Sequence, residues 1–139
     1  MRYCFTSSER LKRRKLIQAV FAERQSVAVW PIRLVWLPLP ADEVARAPVQ
    51  VAFAVPRKHL RKAVVRNKVK RRLREAWRLH KHELYDALER QQCPPLAVVV
   101  LYSAKEVQPW DEVEKAMVRA MKRLVRACGH MQKQLPTNE

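Results

Sequence analysis

Between Pro56 and Glu75 the chain carries ten basic side chains and no acidic one: Arg57, Lys58, Arg61, Lys62, Arg66, Lys68, Lys70, Arg71, Arg72 and Arg74. Like charges four residues apart destabilise a helix by about 0.2–0.5 kcal/mol per pair, so such a run stays helical only if something else holds it. Its apolar residues supply the hold. Val65, Val69, Leu73, Ala76 and Trp77 recur at helical spacing, while Arg66, Lys70, Arg74 and Arg78 form a separate row at i+4 steps. One face is therefore core and another cationic. The spacing predicts a helix continuing to about residue 88, followed by a turn over residues 91–95.

The rest of the chain does not offset this charge. Lys and Arg total 29 against 13 acids, giving +16 and a pI of about 10.6. A folded state of that charge repels itself unless a polyanion neutralises it. A solvated charged face is the alternative reading of the run, but ten cations without one acid favour polyanion binding. Nucleic acid is the first candidate and anionic membrane the second. No stretch approaches the ~18 consecutive apolar residues of a spanning helix, and the N-terminal residues lack a signal-peptide apolar run. The expectation is a cytoplasmic protein with no membrane partner. A length of 139 residues with 48% hydrophobic content suits one domain. That domain is read as residues 1–129, with 130–139 as a flexible tail.

Cys4, Cys93 and Cys128 are widely spaced in sequence and outside any C-x-x-C pattern, so reduced thiols are expected rather than a disulfide framework or zinc site. His80-x-His82 would point two rings to different helix faces. No metal site on the protein is predicted.

The remaining elements follow from pattern. Thr6-x-x-Glu9 reads as a capping box before a helix over residues 13–23, in which Leu16, Ile17, Val20 and Phe21 share a face. Residues 26–39 favour strands, but Pro31 lacks a ladder donor and splits the run in two. Pro38, Pro40, Asp42, Glu43 and Pro48 mark an exposed connection. Alternating Val49, Val51, Phe53 and Val55 form a strand that Pro56 stops. The continuous apolar run 96–102 predicts a central strand buried on both faces. Pro109 at N1, acids early, Lys122, Arg123 and Arg126 late, and Gly129 just after the end delimit a last helix. Met117 and Met121 are read as filler in its buried stripe, with Val113, Ala120, Leu124 and Val125.

Within the basic run, Arg66-Asn67-Lys68-Val69-Lys70-Arg71-Arg72-Leu73-Arg74 is more specific than charge alone. It resembles the signature of the ribonuclease P protein family: an Arg-Asn pair, a basic residue, an apolar residue, Lys-Arg, and a further Arg. The resemblance extends to Pro56-Arg57-Lys58, to Trp77 at a family aromatic position, and to the element order over roughly residues 9–127.

The resemblance implies an α+β fold: a single-domain α-β-β-β-α-β-α sandwich like the second domain of ribosomal protein S5, with a left-handed β-α-β crossover. Spacing would not have given that hand, since right-handed crossovers prevail in about 98% of cases. It also implies a protein subunit that binds the catalytic RNA and the 5′ leader of precursor tRNA during 5′ maturation. Arg57, Lys58, Arg61, Lys62, Arg66, Asn67, Lys68, Lys70, Arg71 and Arg74 would make the RNA contacts. Asn67 would bond RNA or its hydrated metal, or instead cap or turn the helix. Lys68, where arginine is common, loses the planar fork that takes phosphate bidentately. A leader cleft between the first helix and the sheet would use Ile17, Phe21, Val35 and Trp36. Ile17 and Val35 stand where other members can have aromatics, so apolar contact would replace some stacking. Trp30 and Trp36 would compensate or belong to the core, and strand alternation puts Trp36 on the side of Ile32 and Leu34.

Hydrolysis would reside in the RNA, with Mg2+ bound mainly by that partner, and the protein would be a monomer in the holoenzyme. No nucleophile-base constellation is visible: Asp42-Glu43 falls in a loop and Asp111-Glu112 in a helix's first turn, where acids are favourable anyway. A ribosome-associated structural RNA-binding protein is the alternative function.

Overall fold

The computed structural model describes residues 9–12, 14–23, 25–39 and 47–134. They form, in chain order, α1 (Arg14–Glu23), β1 (Ser26–Val29), β2 (Ile32–Pro38), β3 (Val49–Ala54), α2 (Ala63–Arg90), β4 (Leu96–Tyr102) and α3 (Trp110–Gln134). Pro31 separates β1 from β2 at a cis Trp30–Pro31 bond, and Pro56 lies beyond the end of β3. Every element expected from the sequence is present, as an α-β-β-β-α-β-α order.

The strands make one sheet in the order β1-β2-β4-β3. The apolar run 96–102 is thus interior, antiparallel to β2 and parallel to β3, with Val35 opposite Val99 and Val51 opposite Val98. Burial on both faces accounts for its lack of alternation. Even-numbered β4 residues Leu96, Val98, Val100 and Tyr102 face α2 and α3, where Val69, Leu73, Ala76 and Trp77 of α2 meet Val113, Met117, Ala120 and Leu124 of α3. Odd-numbered Ala97 and Val99 face the other way, onto Leu16 and Val20 of α1 with Val35 of β2. One face of the sheet therefore carries two long helices and the other a single short one.

Two sequence expectations are corrected. First, Glu9 does not close a capping box at the start of α1. Thr6 lies outside the described residues, and Glu9 stands five residues before the helix, buried, accepting hydrogen bonds from Lys81 Nζ at 2.8 and 2.9 Å and from the Tyr85 hydroxyl at 2.6 Å. Arg10 and Leu11 pair with Val51 on the outer edge of β3, and Leu11 N–H donates to the Val51 carbonyl at 2.9 Å. That pairing carries Glu9 around the sheet edge to α2.

Second, α3 does not end at Gly129 but runs through it to Gln134, so residues 130–134 are helix rather than tail; 135–139 lie outside the described residues. Gly129 serves as a place of close approach: a Cβ there would stand 2.7 Å from Gln91 Oε1. Pro109 sits one position before the helix, its carbonyl accepting from Val113 N–H at 3.2 Å.

The fold also brings together two cysteines that are far apart in sequence. Cys128 is buried, and burial, followed by the adjoining Cys93 side chain, pushes its thiol up to about 12. Both cysteines are free thiols, and Cys4 lies outside the described residues.

Burial and the hydrogen bond to Glu9 raise the Tyr85 pKa above its ordinary 10.0. A raised pKa favours the protonated folded form, so this stabilisation is complete below about pH 10 and declines as pH climbs above it. Denaturation midpoints measured at increasing alkaline pH should fall less steeply for Tyr85→Phe than for the wild type. Lys81→Met, which strands the buried Glu9 carboxylate, should cost roughly 3–5 kcal/mol in urea unfolding, and adding Glu9→Leu should recover much of it.

Candidate nucleic-acid interface

The cationic run divides between a loop and a helix. Pro56 ends the extended backbone, residues 57–59 form a turn, and Arg57, Lys58, Arg61 and Lys62 stand exposed ahead of α2. From Ala63 the chain is continuously helical to Arg90. Val69, Leu73, Ala76 and Trp77 bury one stripe, and Trp77 packs edge-on against Phe53 of β3, with ring centroids 6.3 Å apart. Helical phase then turns Asn67, Arg71, Arg74 and Arg78 away from the sheet.

These cations are not equivalent. The Arg66 guanidinium turns back onto the preceding loop, its Nη1 donating to the carbonyls of Leu60 at 2.9 Å and Arg61 at 2.7 Å. Arg72 Nη1 donates to the Gln108 carbonyl at 2.6 Å and so ties α2 to the segment entering α3. Arg78 donates to Glu75 at 3.1 and 2.5 Å, and that hydrogen bond holds the Glu75 carboxyl below its ordinary value. Arg57, Lys58, Arg61, Lys62, Lys68, Lys70, Arg71 and Arg74 make no side-chain hydrogen bond or ion pair with any described residue. The i+4 row expected from the sequence is therefore interrupted: Arg66 anchors the loop, Arg78 is neutralised, and Lys70 and Arg74 stay available. Asn67 is exposed in the second turn and bonds no described residue, and the helix N-cap is Lys62, so Asn67 neither caps nor turns the helix.

On the opposite side of the sheet, Ile17 is half-buried and Val35 buried under α1, beside half-buried Ala52, Ala54 and Leu101. Phe21 is 44% exposed on α1. These residues form a shallow apolar surface between α1 and the sheet. Trp36 is not among them, which corrects its assignment to the cleft. It alternates with Val35 and points into the α2/α3 core, 3% exposed, alongside Ile32 and Leu34. Trp30 is 62% exposed in the β1–β2 turn.

Sequence reading missed the buried group formed by Glu9, Lys81 and Tyr85. A signal for it existed: Lys81 falls on the apolar stripe between Trp77 and Leu84, and a cation in that phase needs a buried partner. The His80–Glu114 contact at 2.9 Å between α2 and α3 was likewise not foreseen.

The ribonuclease P family model matches residues 5–125, which takes in both the cationic helix and the apolar surface under α1. The chain belongs to the ribonuclease P protein family. It is 38% identical over 135 residues to the ribonuclease P protein component of Porphyromonas gingivalis strain W83, covering 96% of this chain and 93% of the relative. It is 49% identical over 70 residues to that of Symbiobacterium thermophilum, covering 50% of this chain and 56% of the relative. Solved structures of the same family share the fold. The Staphylococcus aureus protein superposes with a TM-score of 0.62 at 20% identity, covering 84% of this chain and 94% of that one. The Thermotoga maritima protein gives 0.61 at 24%, covering 83% and 96%. Membership of the ribonuclease P family leaves the ribosome-associated alternative without support.

The geometry separates two kinds of arginine. Arg66→Ala removes two bonds that hold the loop and should lower stability by roughly 1–2 kcal/mol in a denaturant titration. Arg71→Ala, whose guanidinium bonds no described residue, should stay within about 0.5 kcal/mol of wild type.

Proposed function

We propose that this chain is the protein subunit of ribonuclease P and assists 5′ maturation of precursor tRNA by electrostatic and apolar contacts, while the RNA subunit performs the hydrolysis. The observation that carries this reading is the set of α2 cations that bond no described residue, fixed on a rigid helix and lying inside the family match. Cations held on a rigid element lose little further freedom on meeting phosphate, and each contact releases condensed counterions. Arg57, Lys58, Arg61, Lys62, Lys68, Lys70, Arg71 and Arg74 would neutralise phosphates of the catalytic RNA, with Asn67 bonding RNA from the same face. Arg66 would act mainly by holding the loop that presents Arg61 and Lys62.

The apolar surface of Ile17 and Phe21, backed by buried Val35, suits the single-stranded 5′ leader. Exposed Phe21 offers a ring face on which an unpaired base can stack without sequence preference. Because this surface and the α2 cations lie on different layers of one small domain, leader and catalytic RNA can be held at the same time. A monomer suffices for that arrangement. Lowering repulsion between the two RNAs would also favour occupancy of their magnesium ions. Magnesium would supply an activated water and stabilise the leaving oxygen. Among the described residues no group of three or more His, Cys, Asp or Glu could hold a metal ion. No helix among the described residues is long and apolar enough to cross a membrane. The cytoplasm, where precursor tRNA is made, is the compartment this reading requires.

Reconstitution with the ribonuclease P RNA and a precursor tRNA of the same organism tests the proposal. The protein should tighten precursor binding and raise cleavage at moderate salt, and unchanged binding and cleavage would refute it. Replacing Lys70, Arg71 and Arg74 together by alanine should weaken assembly and flatten the plot of log affinity against log salt by up to ~0.9 per lost duplex phosphate contact.

A further inference from the structure

Beside the α2 cations lies an aromatic side chain, Trp110, that neither the phosphate contacts nor the leader surface uses. Arg71, Arg72, Arg74 and Glu75 of α2 and Trp110 of α3 line a shallow, open groove of about 460 Å³. Trp110 is half-exposed, one side packed on the core and another facing this groove. It is held from several directions. Arg72 donates to the Gln108 carbonyl at 2.6 Å. The buried Tyr102 hydroxyl donates to the Glu106 carbonyl at 2.6 Å and accepts the Gln108 N–H at 2.9 Å. The segment leading to the indole is thus pinned before any ligand arrives. Of the charged groups lining the groove, Glu75 is engaged by Arg78 and Arg72 by Gln108, whereas Arg71 and Arg74 bond no described residue.

An indole and two guanidinium groups lining one groove suit one ligand chemistry: a base stacked on the indole with its flanking phosphates on the arginines. A duplex cannot use it, because paired bases are already stacked on one another. We infer that Trp110, Arg71 and Arg74 form a subsite for an unpaired nucleotide of the RNA bound along α2. This rests on the reading of α2 as an RNA-binding helix and adds to it a preference for a single-stranded or bulged residue at one end of the contact. The subsite is separate from the leader surface, since α1 and α3 cover opposite faces of the sheet.

The test reads Trp110 directly. Trp36 and Trp77 are buried, so in a Trp30→Phe background the indole emission that responds to ligand is that of Trp110. Titration with single-stranded oligoadenylate should quench it saturably, and a paired RNA duplex of similar length should not. In assembly with ribonuclease P RNA, Trp110→Leu keeps apolar bulk against the core but loses the ring face. It should weaken binding about 5- to 100-fold with an unchanged salt slope, whereas Trp110→Phe should retain most of the affinity. Absence of quenching, or assembly by Trp110→Leu at wild-type strength, overturns the subsite. If alanine at Arg71 and Arg74 also left the salt slope unchanged, the RNA-binding reading of α2 would fall with it.

Discussion

The structure depends on α2 having two faces with opposite demands. Its cations repel one another along the outer row, at about 0.2–0.5 kcal/mol for each like pair one turn apart. Its inner row buries Val69, Leu73, Ala76 and Trp77 against the sheet and α3. Each large apolar side chain so buried contributes about 1.5–3 kcal/mol, so packing outweighs repulsion several-fold and the helix forms before any polyanion arrives. Rigidity follows from the same contacts. A basic segment without the inner stripe would have to order itself on RNA and would lose affinity to that ordering.

The sheet divides the labour between its faces. α2 and α3 cover one side with a deep core, whereas α1, ten residues long, covers only part of the other. The uncovered remainder, floored by small Ala52 and Ala54, leaves apolar surface where an extended chain can lie. Glu9 joins the two sides, because its segment pairs with the edge of β3 and its carboxylate reaches Lys81 and Tyr85 on α2. The position of α1 is thereby set by contacts to the helix that carries the cations.

Much of this was legible in the sequence because it rests on short-range pattern. Helical phase separated the stripe of α2 from its charges, Pro31 divided β1 from β2, and the unbroken apolar run identified β4 as interior. Strand alternation also placed Trp36 with Ile32 and Leu34, and its inclusion in the cleft failed by setting family position above that alternation. What pattern did not reveal depends on pairs remote in sequence. Glu9 and Lys81 are seventy-two residues apart, and Cys93 meets Cys128 only after α3 has folded back along α2. Gly129 was read as a stop because glycine after a helix usually is one. Here the missing side chain makes room for Gln91 instead.

The pairing of Arg10 and Leu11 with Val51 has a further effect. An open strand edge is a template on which another chain can add and propagate. β3 would present such an edge, and the extended segment before α1 occupies it at Val51, leaving four-residue β1 as the sheet's other margin. A net charge of +16 works in the same direction, because mutual repulsion between copies opposes edge-to-edge addition.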